Sequence, residues 1–83
     1  MAPKHRIEIT FLGTMQQVAG RETLWLDLPP GTTVARALAL LRERLPAFVG
    51  VKLVALVNGE PARDQRELRT GDGLFLLPPE SGN

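Results

Sequence analysis

Cysteine is absent from this 83-residue chain, and histidine occurs once, at position 5. The first absence excludes disulfides, thiolate zinc sites, iron–sulfur clusters and a cysteine nucleophile. The second excludes a metal site built on several imidazoles. A lone His5 so near the N-terminus also assembles no Ser-His-Asp set, and it reads as an exposed residue of a frayed terminus. An excess of one charge is lacking too: ten Lys and Arg stand against nine Asp and Glu, a net charge of +1. That balance argues against a dedicated nucleic-acid binder. The one basic cluster, Arg63, Arg66 and Arg69, is interleaved with Asp64 and Glu67, which cancels the field such binding needs. No aromatic residue lies beside it to stack a base. No apolar run approaches the roughly 20 residues that cross a bilayer. The basic residues of Met1 to Arg6 lead into an alternating segment rather than an apolar h-region, so no signal peptide is expected. The expected location is cytoplasmic, with neither nucleic acid nor membrane as partner. Thr70-Gly71-Asp72-Gly73 opens no helix and so is a turn rather than a phosphate-binding loop. No bound cofactor or metal is expected.

What remains is a small globular chain, 43% hydrophobic and 23% charged, with room for one domain over residues 1–83. Ile7-Glu8-Ile9-Thr10-Phe11 alternates apolar and polar residues, which predicts a half-buried strand with Ile7, Ile9 and Phe11 inward. Thr14 to Ala19 predicts one helical turn, with Thr14 as a cap and Gly20 closing it. Glu22 to Leu28 alternates again, with Leu24, Leu26 and Leu28 on one face and Thr23, Trp25 and Asp27 on the other. Pro29-Pro30 stops that strand. Thr32 or Thr33 then caps an amphipathic helix carrying Val34, Ala37, Leu38, Leu41 and Leu45 at helical spacing, and Pro46 ends it. Val51 to Val57, nearly all apolar, reads as a central strand, and Asn58-Gly59 as a tight turn. Glu60 to Thr70 reads as a short strand or an irregular crossing. Leu74 to Leu77 is a last short strand that Pro78-Pro79 ends.

The order β-β-α-β-(β)-β implies an α+β fold: a mixed sheet of four to five strands with one main helix on one face. That is the β-grasp, or ubiquitin-like, arrangement. A single helix covers only one face, so an apolar set must lie on the other. Val54 and Leu56 point opposite to Leu53, Ala55 and Val57; Phe75 and Leu77 point opposite to Leu74 and Leu76. Trp25 opposes the leucines of its own strand and belongs with the uncovered set. A contiguous apolar patch on a small domain marks a partner surface. Beyond the stiffening prolines, Glu80-Ser81-Gly82-Asn83 is small and polar. A thin tail behind a rigid stop suits insertion into a narrow channel, since glycine presents no side chain.

Four segments in order resemble the sulfur-carrier family of β-grasp proteins, the ThiS and MoaD type, and most closely the small subunit of molybdopterin synthase. They are Phe11 to Gly20 after the first strand, Lys52-Leu53-Val54-Ala55-Leu56-Val57-Asn58, Leu68 through Gly71-Asp72 to Leu74, and Pro78-Pro79-Glu80-Ser81-Gly82 against the family's Pro-Pro-Val-Ser/Thr-Gly-Gly ending. The resemblance implies a carrier without chemistry of its own. An E1-like adenylating enzyme of the MoeB type uses ATP to activate the terminal glycine carboxylate, and sulfur replaces AMP to give a thiocarboxylate. The tail then enters the large, MoaE-like synthase subunit and donates its sulfur in molybdenum or tungsten cofactor biosynthesis. Gly82 is the candidate thiocarboxylate, with Asn83 the terminal residue as it stands. Phe75, Leu77, Val54, Leu56, Lys52, Pro78, Pro79, Glu80 and Ser81 are the candidate partner contacts.

Three departures separate this chain from the family pattern. Asn83 follows Gly82 where the family ends in Gly-Gly; Glu80 replaces Val, a carboxylate costly to bury without a cation; and Gln16-Gln17 replaces an Arg-Glu pair. Three readings follow: a carrier exposing Gly82 once Asn83 is removed, a carrier whose activating enzyme accepts the asparagine, and a β-grasp binding or regulatory subunit that keeps the interface without the chemistry.

Overall fold

The computed structural model describes residues 4–79. Alternation builds the first strand, β1 (His5–Phe11), with Ile7, Ile9 and Phe11 fully buried. Gly13 turns the chain through a positive φ of 56° into a one-turn helix, α1 (Met15–Ala19). Gly20 closes that turn in the left-handed region at φ 75°. Thr14 precedes α1 without capping it through its hydroxyl. β2 (Thr23–Leu28) returns antiparallel to β1, burying Leu26 and Leu28.

The main helix, α2 (Val34–Arg44), starts at Thr33, whose hydroxyl accepts from the Arg36 amide at 3.2 Å. Thr32, the other expected cap, turns its hydroxyl back to the Pro29 carbonyl at 2.7 Å. The free amides of the first helical turn are met by the crossing 62–69: Val34 donates to the Arg66 carbonyl and Ala35 to that of Asp64. Val34, Ala37 and Leu41 are the fully buried residues of α2, the inward face its spacing predicts.

Pro46 begins a short 3₁₀ turn (Pro46–Phe48) that seats Phe48 in the core, its ring stacked on Phe11 at 5.5 Å between centroids. The strand expected over Val51 to Val57 is shorter. Val51 donates to the Phe48 carbonyl and accepts from Arg42, so its backbone closes the loop instead of joining the sheet. β3 is therefore Val54–Val57. The polar crossing contributes a two-residue strand, β4 (Glu60–Pro61), and a bridge between Thr33 and Glu67.

The last strand, β5 (Gly73–Leu77), occupies the middle of the sheet, in the order β2-β1-β5-β3-β4. β3 lies inside the sheet between β5 and β4, as its apolar run predicts, while the middle place belongs to β5. β5 pairs parallel with β1 and antiparallel with β3. One sheet face, with Ile7, Ile9, Phe11, Leu26, Leu28, Val57, Leu74 and Leu76, packs with α2, Phe48 and Leu68 into a single core. This is the expected ubiquitin-like β-grasp: a mixed five-stranded sheet with one main helix. Among the described residues no helix is long and apolar enough to cross a membrane.

Candidate functional site

Strand parity decides which side chains the helix leaves uncovered. Residues two apart share a face, so burial of Leu74 and Leu76 places Gly73, Phe75 and Leu77 on the other side. The register extends this across the sheet. Thr23 faces Thr10, Thr10 faces Phe75, Phe75 faces Leu56 and Leu56 faces Pro61, forming one row. Leu77 faces Val54 in the next row. Phe75, Leu77, Val54 and Leu56 therefore form one contiguous apolar group on the face opposite α2. Val54 is exposed and the other three are half-buried.

Phe75 is held by more than its strand. A Cβ placed on Gly73 would lie 3.4 Å from Cε2 of the Phe75 ring. The ring thus leans back over the glycine, at contact distance from where a side chain would begin. Trp25 lies on the same sheet face beside Glu8, 49% exposed, with the Arg6 guanidinium 5.0 Å from its ring centroid. That distance suits a cation–π contact.

The tail's root is built at the end of this face. β1 and β5 run parallel, so the chain leaves β5 beside the loop that leaves β1. Leu12 donates to the Leu76 carbonyl at 2.9 Å, tying loop to strand. Pro78 is half-buried, with its ring 3.5 Å from where a Gly13 Cβ would stand; Pro79 is exposed. Lys52 is exposed and lies two residues before Val54, which pairs with Leu77 at the end of the ladder. Glu80, Ser81, Gly82 and Asn83 lie outside the described residues.

A polar lock stands at the opposite end of β5. Asn58, at φ 54°, accepts from the Gly73 amide and donates to Asp72, both at 2.9 Å. Asp72 also accepts from the Arg69 amide at 2.8 Å and pairs with Arg66 at 3.2 Å. Burial pushes the Asp72 carboxyl up, but the hydrogen bonds from Arg69, Asn58 and Arg66, with the Arg66 charge, outweigh it and hold it below its ordinary value. The Asn-Gly and Gly-Asp turns are readable in the sequence; the side-chain bonds joining them are not. His5 also departs from its expected exposure. It begins β1, half-buried, with Nδ1 3.2 Å from the Leu68 carbonyl. Among the described residues no three His, Cys, Asp or Glu gather as a metal site. The arrangement offers a docking face and a rigid tail root.

The family model of ThiS matches residues 9–82. No curated protein matches the chain. Among solved structures, SAMP1 from Haloferax volcanii is 30% identical with a TM-score of 0.82, over 94% of this chain and 99% of that one. A Pyrococcus furiosus protein assigned as subunit 1 of a molybdopterin converting factor is 21% identical with a TM-score of 0.84, over 90% and 98%. The complex of subunits 1 and 2 of the molybdopterin-converting factor from Helicobacter pylori gives 23% identity and a TM-score of 0.64, over 94% and 99%. At their identities the last two speak for the fold alone.

Proposed function

This chain belongs to the ThiS family, ubiquitin-like sulfur carriers and modifiers, and from that membership we propose that it carries sulfur as a thiocarboxylate on Gly82. The observation that carries the reading is the root of the tail. The middle strand of the sheet runs straight into Pro78-Pro79, at the rim of the apolar group Phe75, Leu77, Val54 and Leu56. A protein docked on that group sits beside Pro78-Pro79, where the tail begins. Two partners use it in turn: an E1-like adenylating enzyme, which spends ATP to place AMP on the Gly82 carboxylate, and a synthase large subunit that takes the sulfur. In the Helicobacter pylori complex a subunit 1 of this fold is bound to subunit 2. From the resemblance of segments 52–58 and 78–82 to the molybdopterin synthase small subunit, we propose that the large subunit is MoaE-like and the acceptor is the pterin of the molybdenum or tungsten cofactor.

A thiocarboxylate on Gly82, the last residue the family model covers, requires that Asn83 be removed first. Intact mass of the protein from its native host tests this. The expected species lacks Asn83 and is about 16 Da heavier than the unmodified chain ending at Gly82, oxygen having been exchanged for sulfur in the nucleophilic step. An unmodified mass that retains Asn83, with the activating enzyme and ATP supplied, overturns the proposal and leaves the binding-subunit reading. A second reading rests on the 30% identity to SAMP1, a protein called a small archaeal modifier. Under it, Gly82 is joined by an amide bond to lysines of other proteins, and the same spectra contain covalent conjugates.

A further inference from the structure

β2 borders the sheet, and no described residue pairs with its outer edge. The phase of the β1–β2 ladder says which groups that edge presents. Phe11 donates to the Glu22 carbonyl at 2.8 Å, and these two stand next in register after Thr10 and Thr23. Phe11 and Glu22 are therefore a hydrogen-bonded pair. Alternation then turns the backbone of Leu24, Leu26 and Leu28 toward β1, and that of Thr23, Trp25 and Asp27 outward. No proline or lysine guards this edge. Beside it a groove of about 430 Å³ separates β2 from α2, lined by Leu26, Asp27, Leu28, Leu40, Glu43 and Arg44.

We propose that this edge pairs with the same edge of a second copy of the chain, antiparallel about a twofold axis through Trp25. In that register Trp25 faces the partner's Trp25, and Thr23 faces the partner's Asp27. Each pair exchanges both its hydrogen bonds, and the two sheets become one. Shifted registers centred on Leu24 or Leu26 leave Asp27 or Thr23 facing beyond the other strand. The side chains are complementary to their own copy. The Thr23 hydroxyl meets the Asp27 carboxylate of the other copy twice, and a net charge of +1 adds little repulsion. Pairing also covers Trp25, a large apolar side chain left 49% exposed. The apolar group on β5 and β3 lies beyond β1 and stays free with the tail, so this contact is separate from the carrier reading.

Sedimentation equilibrium of the full chain, with tryptophan emission read over the same concentrations, tests the pairing. Trp25 is the single tryptophan and tyrosine is absent, so the emission reports this edge. The mass should rise from 9.1 kDa toward twice that, and the emission should move to the blue together with it. Thr23→Lys, set against the partner's Asp27 twice per dimer, should tighten association and Thr23→Glu weaken it, each by about tenfold. Adding Asp27→Lys to Thr23→Glu should restore it. Both positions are exposed, and circular dichroism verifies that the variants fold. The proposal is overturned by a mass that stays at 9.1 kDa up to about 1 mM. Dimerisation indifferent to charge at Thr23 and Asp27 overturns it too. So does a blue shift that appears only when a different protein is added.

Discussion

Asn58 donates through Nδ2 to Asp72 at 2.9 Å, and this bond joins the turn after β3 to the turn before β5. Asn58 Oδ1 accepts from the Gly73 amide as well, so one side chain fixes the start of the sheet's middle strand. Asn58 also holds φ at 54°, a conformation asparagine tolerates better than most residues. Asn58→Ala removes both bonds and keeps the backbone cost, so a loss of roughly 2–3 kcal/mol is expected. Asn58→Gly removes the bonds but relaxes the backbone, so it should cost about 1 kcal/mol less. Urea titration of the three proteins measures the order; equal losses would show that the bonds alone matter.

Asp72 makes the same lock sensitive to acid. Its folded carboxyl titrates below the ordinary value of 3.8. A carboxyl depressed in the folded state contributes stability that is present above the unfolded value and lost as pH falls through the folded one. Thermal melts should therefore hold near neutral pH and fall off below about pH 4. Asp72→Asn should melt lower at pH 7, because a charge-assisted network is lost, and show a shallower acid decline. An unchanged acid slope in that variant would assign the decline to other carboxylates.

Phe75 tests the face without testing the tail. Its ring is half-buried over Gly73 and faces Leu56. Phe75→Glu places a charge in the middle of the proposed contact, where truncating an anchor residue typically costs at least about 2 kcal/mol, or some thirtyfold in affinity. Phe75→Leu keeps the face apolar and should retain most of the binding. Calorimetry with the adenylating enzyme or the synthase large subunit reads both. Glu and Leu variants binding alike would remove this face from the interface.

Periodicity made the sheet and helix legible. Ile7, Ile9 and Phe11 alternate, Val34, Ala37 and Leu41 recur at helical spacing, and both patterns are buried as predicted. The apolar group of Phe75, Leu77, Val54 and Leu56 was legible for the same reason, since parity alone separates it from Leu74 and Leu76. Strand order was not. Nothing local in Leu74 to Leu77 says that the last strand inserts between β1 and β3. Side-chain to backbone bonds were hidden too. Arg42 donates to the Phe48 and Val51 carbonyls and so shortens β3, a contact between residues six and nine apart that no periodicity encodes. Leu68, alone in a polar stretch, and Phe48, between a proline and a glycine, carry no pattern, yet both are in the core.

Phe48 shows what such a patternless residue contributes. It is fully buried and stacks on Phe11 at an interplanar angle of 26°. It is also the main core side chain supplied by the 3₁₀ turn between α2 and β3. Truncation removes a buried ring and leaves a cavity that the helix above and the strand below are too rigid to fill. Phe48→Ala should therefore cost about 3–5 kcal/mol. A domain this small lies toward the low end of the usual range of about 5–15 kcal/mol, so that loss takes most of what holds it folded. Phe48→Leu fills most of the volume and should cost far less, while losing the stacking contact. Urea melts at 25 °C distinguish the two. An alanine variant less than about 1 kcal/mol weaker would mean that the turn collapses onto Phe11 and closes the cavity.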